Sequence, residues 1–145
     1  MENKALAFFK ANIGQPSNNS PSPIGRWLNG KLIKAEEGNL AWEYEIRPEM
    51  TNPGAILHGG IASTMLDDVM GATVFSLNNE FMFTSINLNV DFLASAKTGD
   101  IVTCEAQVVR KGSNVIHMEA WLKKGDKVLA KAASNLIKTR MPVPV

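Results

Sequence analysis

The chain has few of the residues on which disulfide frameworks and zinc sites depend. Its 145 residues include one cysteine, Cys104, and two histidines. A single cysteine cannot form an intramolecular disulfide, which argues against a disulfide-framed secreted domain. Three nitrogen or sulfur ligands in all are also too few for an ordinary zinc site, so we expect no metal. Cys104 lies in a run that alternates like a strand, and we interpret it as a small buried hydrophobe.

Long apolar runs and an excess of one charge are missing as well. Near the N-terminus only five apolar residues follow one another, from Ala5 to Phe9, which is too short for a signal-peptide core or a membrane span. We therefore expect a cytoplasmic protein without a membrane partner. Fifteen basic and 14 acidic residues leave a net charge of +1, which provides no field for holding nucleic acid.

The length fits one domain, preceded by a short N-terminal segment. Residues 2–12 are predicted to form a helix, and residues 14–23 are rich in proline, serine and asparagine. We divide the chain into an N-terminal helix and linker, residues 1–23, and a main domain, residues 24–145.

The pattern of the main domain predicts an α+β fold. Residues 26–47 look like two strands around a turn, and residues 59–77 form a helix that is apolar on nearly every side and therefore buried. Four more strand-like runs follow at residues 82–93, 100–110, 114–123 and 127–138. Strands joined by short turns pair antiparallel. The sequence thus predicts one long buried helix wrapped by an antiparallel sheet of five to six strands.

The segment from Asn52 to Asp68 carries the residues suited to chemistry. Gly59 and Gly60 stand at the predicted helix start, where bare N–H groups and the helix dipole favour a ligand oxygen. Asp67 and Asp68 lie inside the apolar helix, where a buried carboxylate is costly unless it is paired or functional. Gly60 and Asp67 share one helix face, whereas Asp68 is turned about 100° away from Asp67.

This segment resembles the phenylacetate-pathway (PaaI-like) type of hotdog-fold acyl-CoA thioesterase. That family has an asparagine six residues before a His-Gly-Gly and an acid nine residues after the histidine. The matching residues here are Asn52, His58, Gly59, Gly60 and Asp67. The resemblance continues through residues 85–100, and the order of elements agrees over residues 40–138. It implies a hotdog fold and hydrolysis of an acyl-CoA to a free acid and coenzyme A. Coenzyme A would then be part of the substrate, and no cofactor is expected.

The resemblance also implies roles for single residues. The backbone N–H of Gly59, helped by Gly60, would polarise the thioester carbonyl as an oxyanion hole. Asp67 would be a nucleophile or a general base for water. Asn52 would hold the water or the thioester, and Ser85 would orient the water.

Two further assignments follow from the same resemblance. His58 would shape the loop or contact the thioester rather than act as the base. Coenzyme A would contact Gly60 and the basic turn between the second and third of the last four strand-like runs. The side chains of that turn would form charge-assisted bonds to phosphate. The residues of that turn are Arg110, Lys111, Gly112 and Ser113.

A distance estimate adds a constraint on the site. Gly60 and Asp67 lie roughly 10 Å apart along one helix, too far to serve the same carbonyl. The resemblance implies a site shared between two chains of a homodimer, and such dimers commonly pair into tetramers. The alternative is a non-catalytic acyl-CoA-binding or regulatory hotdog protein. The acyl group is left open, because Met70, Phe75, Met82 and Phe83 could line an acyl pocket or belong to the core.

Overall fold

The computed structural model describes residues 2–144, which contain three α-helices, two single-turn 3-10 helices and six strands. The helices are α1 (Lys4–Ala11), α2 (Pro23–Leu28) and α3 (Gly59–Phe75). The strands are β1 (Lys31–Glu36), β2 (Asn39–Glu45), β3 (Phe81–Phe92), β4 (Ile101–Lys111), β5 (Val115–Lys124) and β6 (Lys127–Pro142). No helix among these residues is both long enough and apolar enough to cross a membrane.

The six strands form one antiparallel sheet in the order β1-β2-β4-β5-β6-β3, with α3 on its inner face. In β5 every second residue is buried against α3, from Ile116 to Leu122. The helix contributes Met65, Leu66 and Val69, each fully buried. The predicted α+β hotdog architecture is therefore confirmed, with six strands and one long central helix.

Helix α2 was not expected from the sequence, because residues 26–28 were assigned to the first strand. The helix forms because Ser22 caps it, accepting a hydrogen bond from the Gly25 N–H at 3.1 Å, and because Pro23 suits the first helical position. It ends at Asn29 in the left-handed conformation, and β1 begins only at Lys31. The division between residues 23 and 24 stays a prediction, and α2 begins at Pro23.

Helix α1 packs near the β1 edge of the sheet. The ring of Phe9 meets Trp42 and Phe75 edge-on, each with centroids 6.0 Å apart. The Asn3 side chain caps α1 and also donates to the Ser76 carbonyl oxygen just beyond α3. Helices α1 and α2 thus both lie on the side of α3 that faces β1 and β2.

The opposite edge of the sheet is formed by β3, whose only strand partner within residues 2–144 is β6. Twelve residues long, β3 leaves one row of backbone N–H and C=O groups without a strand partner. It also exposes large apolar side chains, with Ile86 at 57% and Phe92 at 56%. This edge is the natural place for a second chain to pair.

Candidate active site

The first part of the candidate site is the start of α3. His58 is the N-cap residue, and its Nδ1 accepts a hydrogen bond from the Gly60 N–H at 2.9 Å. The carbonyl oxygen of His58 accepts from Ile61 and Ala62. Among residues 2–144 the N–H of Gly59 has no acceptor. Gly59 therefore presents a free donor at the positive end of the helix dipole, whereas the N–H of Gly60 is already used.

The loop before α3 is held in place by several backbone bonds. The Asn52 Oδ1 accepts from the Gly54 N–H at 2.9 Å, which makes an Asx turn. His58 donates its N–H to the Met50 carbonyl, and Leu57 donates to Ala96, both at 2.8 Å. Asn52 is thus a turn residue in this structure, and its proposed contact with substrate stays a prediction.

The second part of the candidate site joins Asp67 to Ser85. The Ser85 hydroxyl donates to Asp67 Oδ1 across 3.4 Å, so two residues that lie 18 positions apart in the sequence are neighbours. Both side chains are exposed in the single chain. The expectation that Asp67 is buried is therefore wrong for one chain. Its position on α3 turns it toward β3, the free edge of the sheet.

The neighbouring acid, Asp68, is the more buried of the two. Its Oδ1 accepts a hydrogen bond from the Ser22 hydroxyl at 3.1 Å, which ties the start of α2 to α3. Burial raises the pKa of Asp68, the Ser22 bond opposes this, and the charge of Asp67 adds to the increase. The contact with α2 gives Asp68 a structural role.

The candidate coenzyme A residues lie at the turn between β4 and β5. Arg110, Lys111 and Ser113 are exposed there. Gly112 is required by the turn itself, because a Cβ atom at this position would lie 2.7 Å from the Val115 carbonyl oxygen. The Val108 N–H donates to Gly38, which in turn donates to Ser76 Oγ. This turn is thus at the C-terminal end of α3, opposite to Gly59.

The two parts of the site do not meet within one chain. A Cβ atom at Gly59 would lie 3.4 Å from the ring of Phe92, near the end of β3, whereas Asp67 lies beside Ser85, nearer its start. Helix α3 therefore runs antiparallel to β3. Gly59 and Asp67 are eight positions apart, which separates them by about 12 Å along the helix. No single carbonyl carbon can reach both groups of one chain.

A cavity of about 250 Å³ opens beside Gly59, and no pattern in the sequence predicted it. Its walls come from the loop before α3, the end of β3 and the β5–β6 hairpin. The lining residues are Ile56, Leu57, Gly59, Ala62, Phe92, Ala94, Ser95, Ala96, Leu122, Leu129 and Ala130. Of the side chains expected near an acyl group, Phe75, Met82 and Phe83 line a separate groove of about 70 Å³, and Met70 is buried in the core.

With this geometry described, the sequence can be compared with known families. The profile of the thioesterase superfamily matches residues 54–131, just over half of the chain. This span includes Gly59, Asp67, Ser85 and Phe92. The chain belongs to the thioesterase superfamily. The expected thioester hydrolase is thereby confirmed, and the proposals below concern its substrate and the assembly of its site.

Individual proteins agree with this membership. A candidate esterase of Saccharolobus solfataricus is 34% identical over 113 residues, which cover 77% of this chain and 80% of that protein. Human acyl-coenzyme A thioesterase 13 is 25% identical over 84 residues, or 58% of this chain, and the match spans 60% of its length. The structure of the E. coli PaaI protein superposes with a TM-score of 0.83, covering 98% of this chain and 99% of that one at 16% identity. The last comparison confirms the PaaI-like hotdog fold.

Proposed function

We propose that this thioesterase hydrolyses acyl-coenzyme A to a free carboxylic acid and coenzyme A. The observation that carries the proposal is the pair of half-sites on α3, a free N–H at Gly59 and the Asp67–Ser85 pair. The human relative is named an acyl-coenzyme A thioesterase, although the match spans only 60% of it. An oxyanion donor and an acid beside a hydroxyl are the groups that hydrolysis of a thioester requires.

Each half-site has one task in the reaction. The thioester oxygen accepts the Gly59 N–H, which stabilises the negative charge that develops when water attacks the carbonyl carbon. Removing one such donor from other enzymes costs roughly 3–4 kcal/mol in the transition state. Asp67 takes the proton of the water that Ser85 orients, and the C–S bond then breaks. The hydroxyl group of the water ends in the acid, and the proton held by Asp67 passes to the leaving sulfur, which departs as the thiol of coenzyme A. Attack by Asp67 itself would use the same residue as a nucleophile.

The active site is completed by two chains in this proposal. If two β3 strands pair antiparallel about a two-fold axis, Ser85 of one chain approaches Phe92 of the other when the axis passes between Leu88 and Asn89. Asp67 of one chain, which lies beside its own Ser85, then comes near Gly59 of the other chain, which packs against that chain's Phe92. One axis therefore brings both helix groups and both strand groups into register. The exposed apolar side chains of β3 support this pairing.

Gly59 offers a clean test of the oxyanion donor. Gly59→Pro removes the N–H, and proline is well tolerated at the first helical position. His58 has φ −65° and ψ 134°, the extended conformation that a residue before proline prefers. Gly59→Ala is the matched control, because it adds a Cβ near Phe92 but keeps the N–H. We expect kcat/KM of Gly59→Pro to fall at least about 100-fold below that of Gly59→Ala. Equal activities would refute the role of this N–H.

Mixed dimers test whether the site is shared. Chains with Asp67→Asn and chains with Gly59→Pro, carrying different tags, are co-expressed and the heterodimer is purified. One of its two sites then combines an intact Asp67 with an intact Gly59, so we expect about half of the wild-type activity. A heterodimer of Asp67→Asn and Asp67→Ala is the control and has no intact site. A site contained in one chain would leave both heterodimers inactive.

The alternative expected from the sequence, a non-catalytic acyl-CoA-binding protein, is not favoured, because the chain belongs to the thioesterase superfamily. A non-catalytic binding protein would gain nothing from the Asp67–Ser85 pair. In such a protein Asp67→Asn would leave the affinity for acyl-CoA unchanged, and neither the wild type nor the variant would hydrolyse it. Release of free thiol from a panel of acyl-CoA esters decides between the two functions. The tetramer, the cytoplasmic location and the coenzyme A contacts at residues 110–113 stay predictions.

A further inference from the structure

We propose that the cavity behind Gly59 receives the acyl group of the substrate, that Phe92 forms its mouth, and that its volume limits the acyl length. The inference rests on the proposed acyl-CoA hydrolysis and adds to it the placement and size of the acyl group.

The cavity exists because small side chains line a space between larger elements. Ala62 from α3, Ala94 and Ala96 from the loop after β3, and Ala130 from β6 contribute only methyl groups to its walls. Leu122 and Leu129, both at most 2% exposed, contribute core side chains to the walls. An apolar chain that enters this space is removed from water at little cost in polar contacts.

The loop that forms one wall is fixed at both ends. Leu93 and Ala94 donate their N–H groups to the Leu129 carbonyl, at 2.8 and 3.1 Å. On the other side, Leu57 donates to the Ala96 carbonyl at 2.8 Å. Backbone bonds of this kind hold the walls at a set spacing, so the cavity is preformed and its volume can act as a size limit.

The position of the cavity matches the reacting centre. Gly59, the proposed oxyanion donor, is part of the wall, and a Cβ atom there would lie 3.4 Å from two ring carbons of Phe92. A thioester oxygen bonded to the Gly59 N–H therefore leaves its acyl carbons beside the opening. The ring of Phe92 is 56% exposed and flanks the same opening. In the proposed dimer it lies next to Ser85 of the partner subunit.

The second groove suits the coenzyme A arm better than the acyl chain. It is the smaller of the two spaces, at about 70 Å³, it includes the polar side chain of Asn79, and the ammonium of Lys138 lies 5.8 Å above the ring of its Phe81. The Lys138 N–H donates to the carbonyl of Asn114, next to the basic turn between β4 and β5. The coenzyme A arm carries amides and phosphates, which need polar partners and solvent, whereas an acyl chain needs neither.

The volume sets the expected size of the acyl group. A cavity of about 150 Å³ in another protein holds benzene, so 250 Å³ accommodates a larger group than one ring. At about 30 Å³ for each water-sized unit, the space holds roughly eight carbon atoms. We expect kcat/KM to rise with acyl length up to about eight carbons and to fall beyond it.

Ala94→Leu tests the size limit directly. Ala94 is half-buried on the cavity wall, and its backbone bond does not depend on its side chain. Leucine adds three carbon atoms, so the longest accepted chain should shorten by about three carbons. The longest chain that the wild type accepts should lose at least about tenfold in kcat/KM, and the four-carbon ester should stay within about threefold. Thermal unfolding of the variant confirms that it is folded.

Gly71→Ala provides the matched change in the second groove, where the added Cβ would meet no atom within 4 Å. A length profile that shifts with Gly71→Ala and not with Ala94→Leu would place the acyl chain in the second groove and overturn the inference. An unchanged profile for both variants would overturn it as well. If the wild type hydrolyses no acyl-CoA of any length, the proposed function fails and the inference falls with it. Hydrolysis with the wrong length dependence refutes the inference alone.

Discussion

Replacing His58 distinguishes support of the helix start from participation in the chemistry. His58 Nδ1 accepts the Gly60 N–H at 2.9 Å, as an N-cap side chain does. His58→Ala leaves that N–H to water, and loss of a cap typically costs about 1 kcal/mol of stability, with a range of roughly 0.5–2. Asparagine is among the best capping residues, so His58→Asn should restore most of this loss. We therefore expect His58→Asn to unfold close to the wild-type temperature and His58→Ala below it.

The effect on activity follows from the position of Gly59 next to the cap. A looser helix start misplaces the Gly59 N–H, so we expect His58→Ala to lose about tenfold in kcat/KM, because small errors in position are costly. His58→Asn should stay within about threefold of the wild type. A general base typically contributes roughly 100- to 10,000-fold, so a catalytic histidine would make both variants nearly inactive.

The assay is thiol release from an acyl-CoA, measured together with thermal unfolding of the same preparations. The reasoning is refuted if His58→Asn keeps its unfolding temperature and still loses more than about 100-fold in activity. In that case the ring of His58 would act on the substrate itself. Recovery by asparagine, with loss by alanine, supports the capping role.

Two further predictions concern the two flanks of the central helix. The pKa of Asp68 is raised in the folded protein, so ionising this carboxyl costs stability as the pH rises from its unfolded pKa near 4 through its folded pKa. Asparagine cannot ionise, so Asp68→Asn should have a higher unfolding temperature than the wild type at pH 8. This advantage should disappear toward pH 4, where Asp68 of the wild type is protonated. A constant difference across that range would contradict the raised pKa. Gly30→Ala would place a methyl carbon closer to ring carbons of Tyr44 than van der Waals contact allows, so it should destabilise the protein by about 1–3 kcal/mol in urea unfolding. Gly71→Ala has open space around its Cβ and a helical backbone, so it should stabilise the protein by up to about 1 kcal/mol in the same measurement.

Much of the fold was predictable because the strands alternate in polarity and α3 is apolar on most sides. The alternation of β5 from Val115 to Leu122 requires one buried and one outer face, and the structure has both. Helix α2 was missed because it is only six residues long and its signal is the short Ser22-Pro23 pair within a turn-rich stretch. A strand was expected there from the apolar residues Trp27 and Leu28, although only Leu28 is buried.

The half-sites were predictable from the resemblance, but their surroundings were not. The spacing of Gly59 and Asp67 along a helix already showed that one chain cannot bring them together. The sequence could not show that the N–H of Gly60 is donated to His58, or that Phe92 lies beside Gly59 from 33 residues away. The contact with Phe92 depends on how α3 and β3 cross, and no local pattern encodes that crossing. The cavity arises in the same way, from methyl groups on three separate segments.

The two adjacent acids of α3 point to different flanks of the helix, and the flank that faces β3 is the open one. Neighbouring helix residues point about 100° apart, so Asp68 turns toward α2 and Asp67 turns toward β3. Asp68 is bound by Ser22, and α2 covers that flank. Asp67 has only the long bond from Ser85, beside a strand whose outer edge lacks a partner within residues 2–144. The flank of α3 that carries Asp67 is therefore open to a second chain. In the proposed dimer the same pairing brings in Gly59 of the partner subunit, so the flank of α3 that α2 leaves uncovered is the one on which the site would be completed.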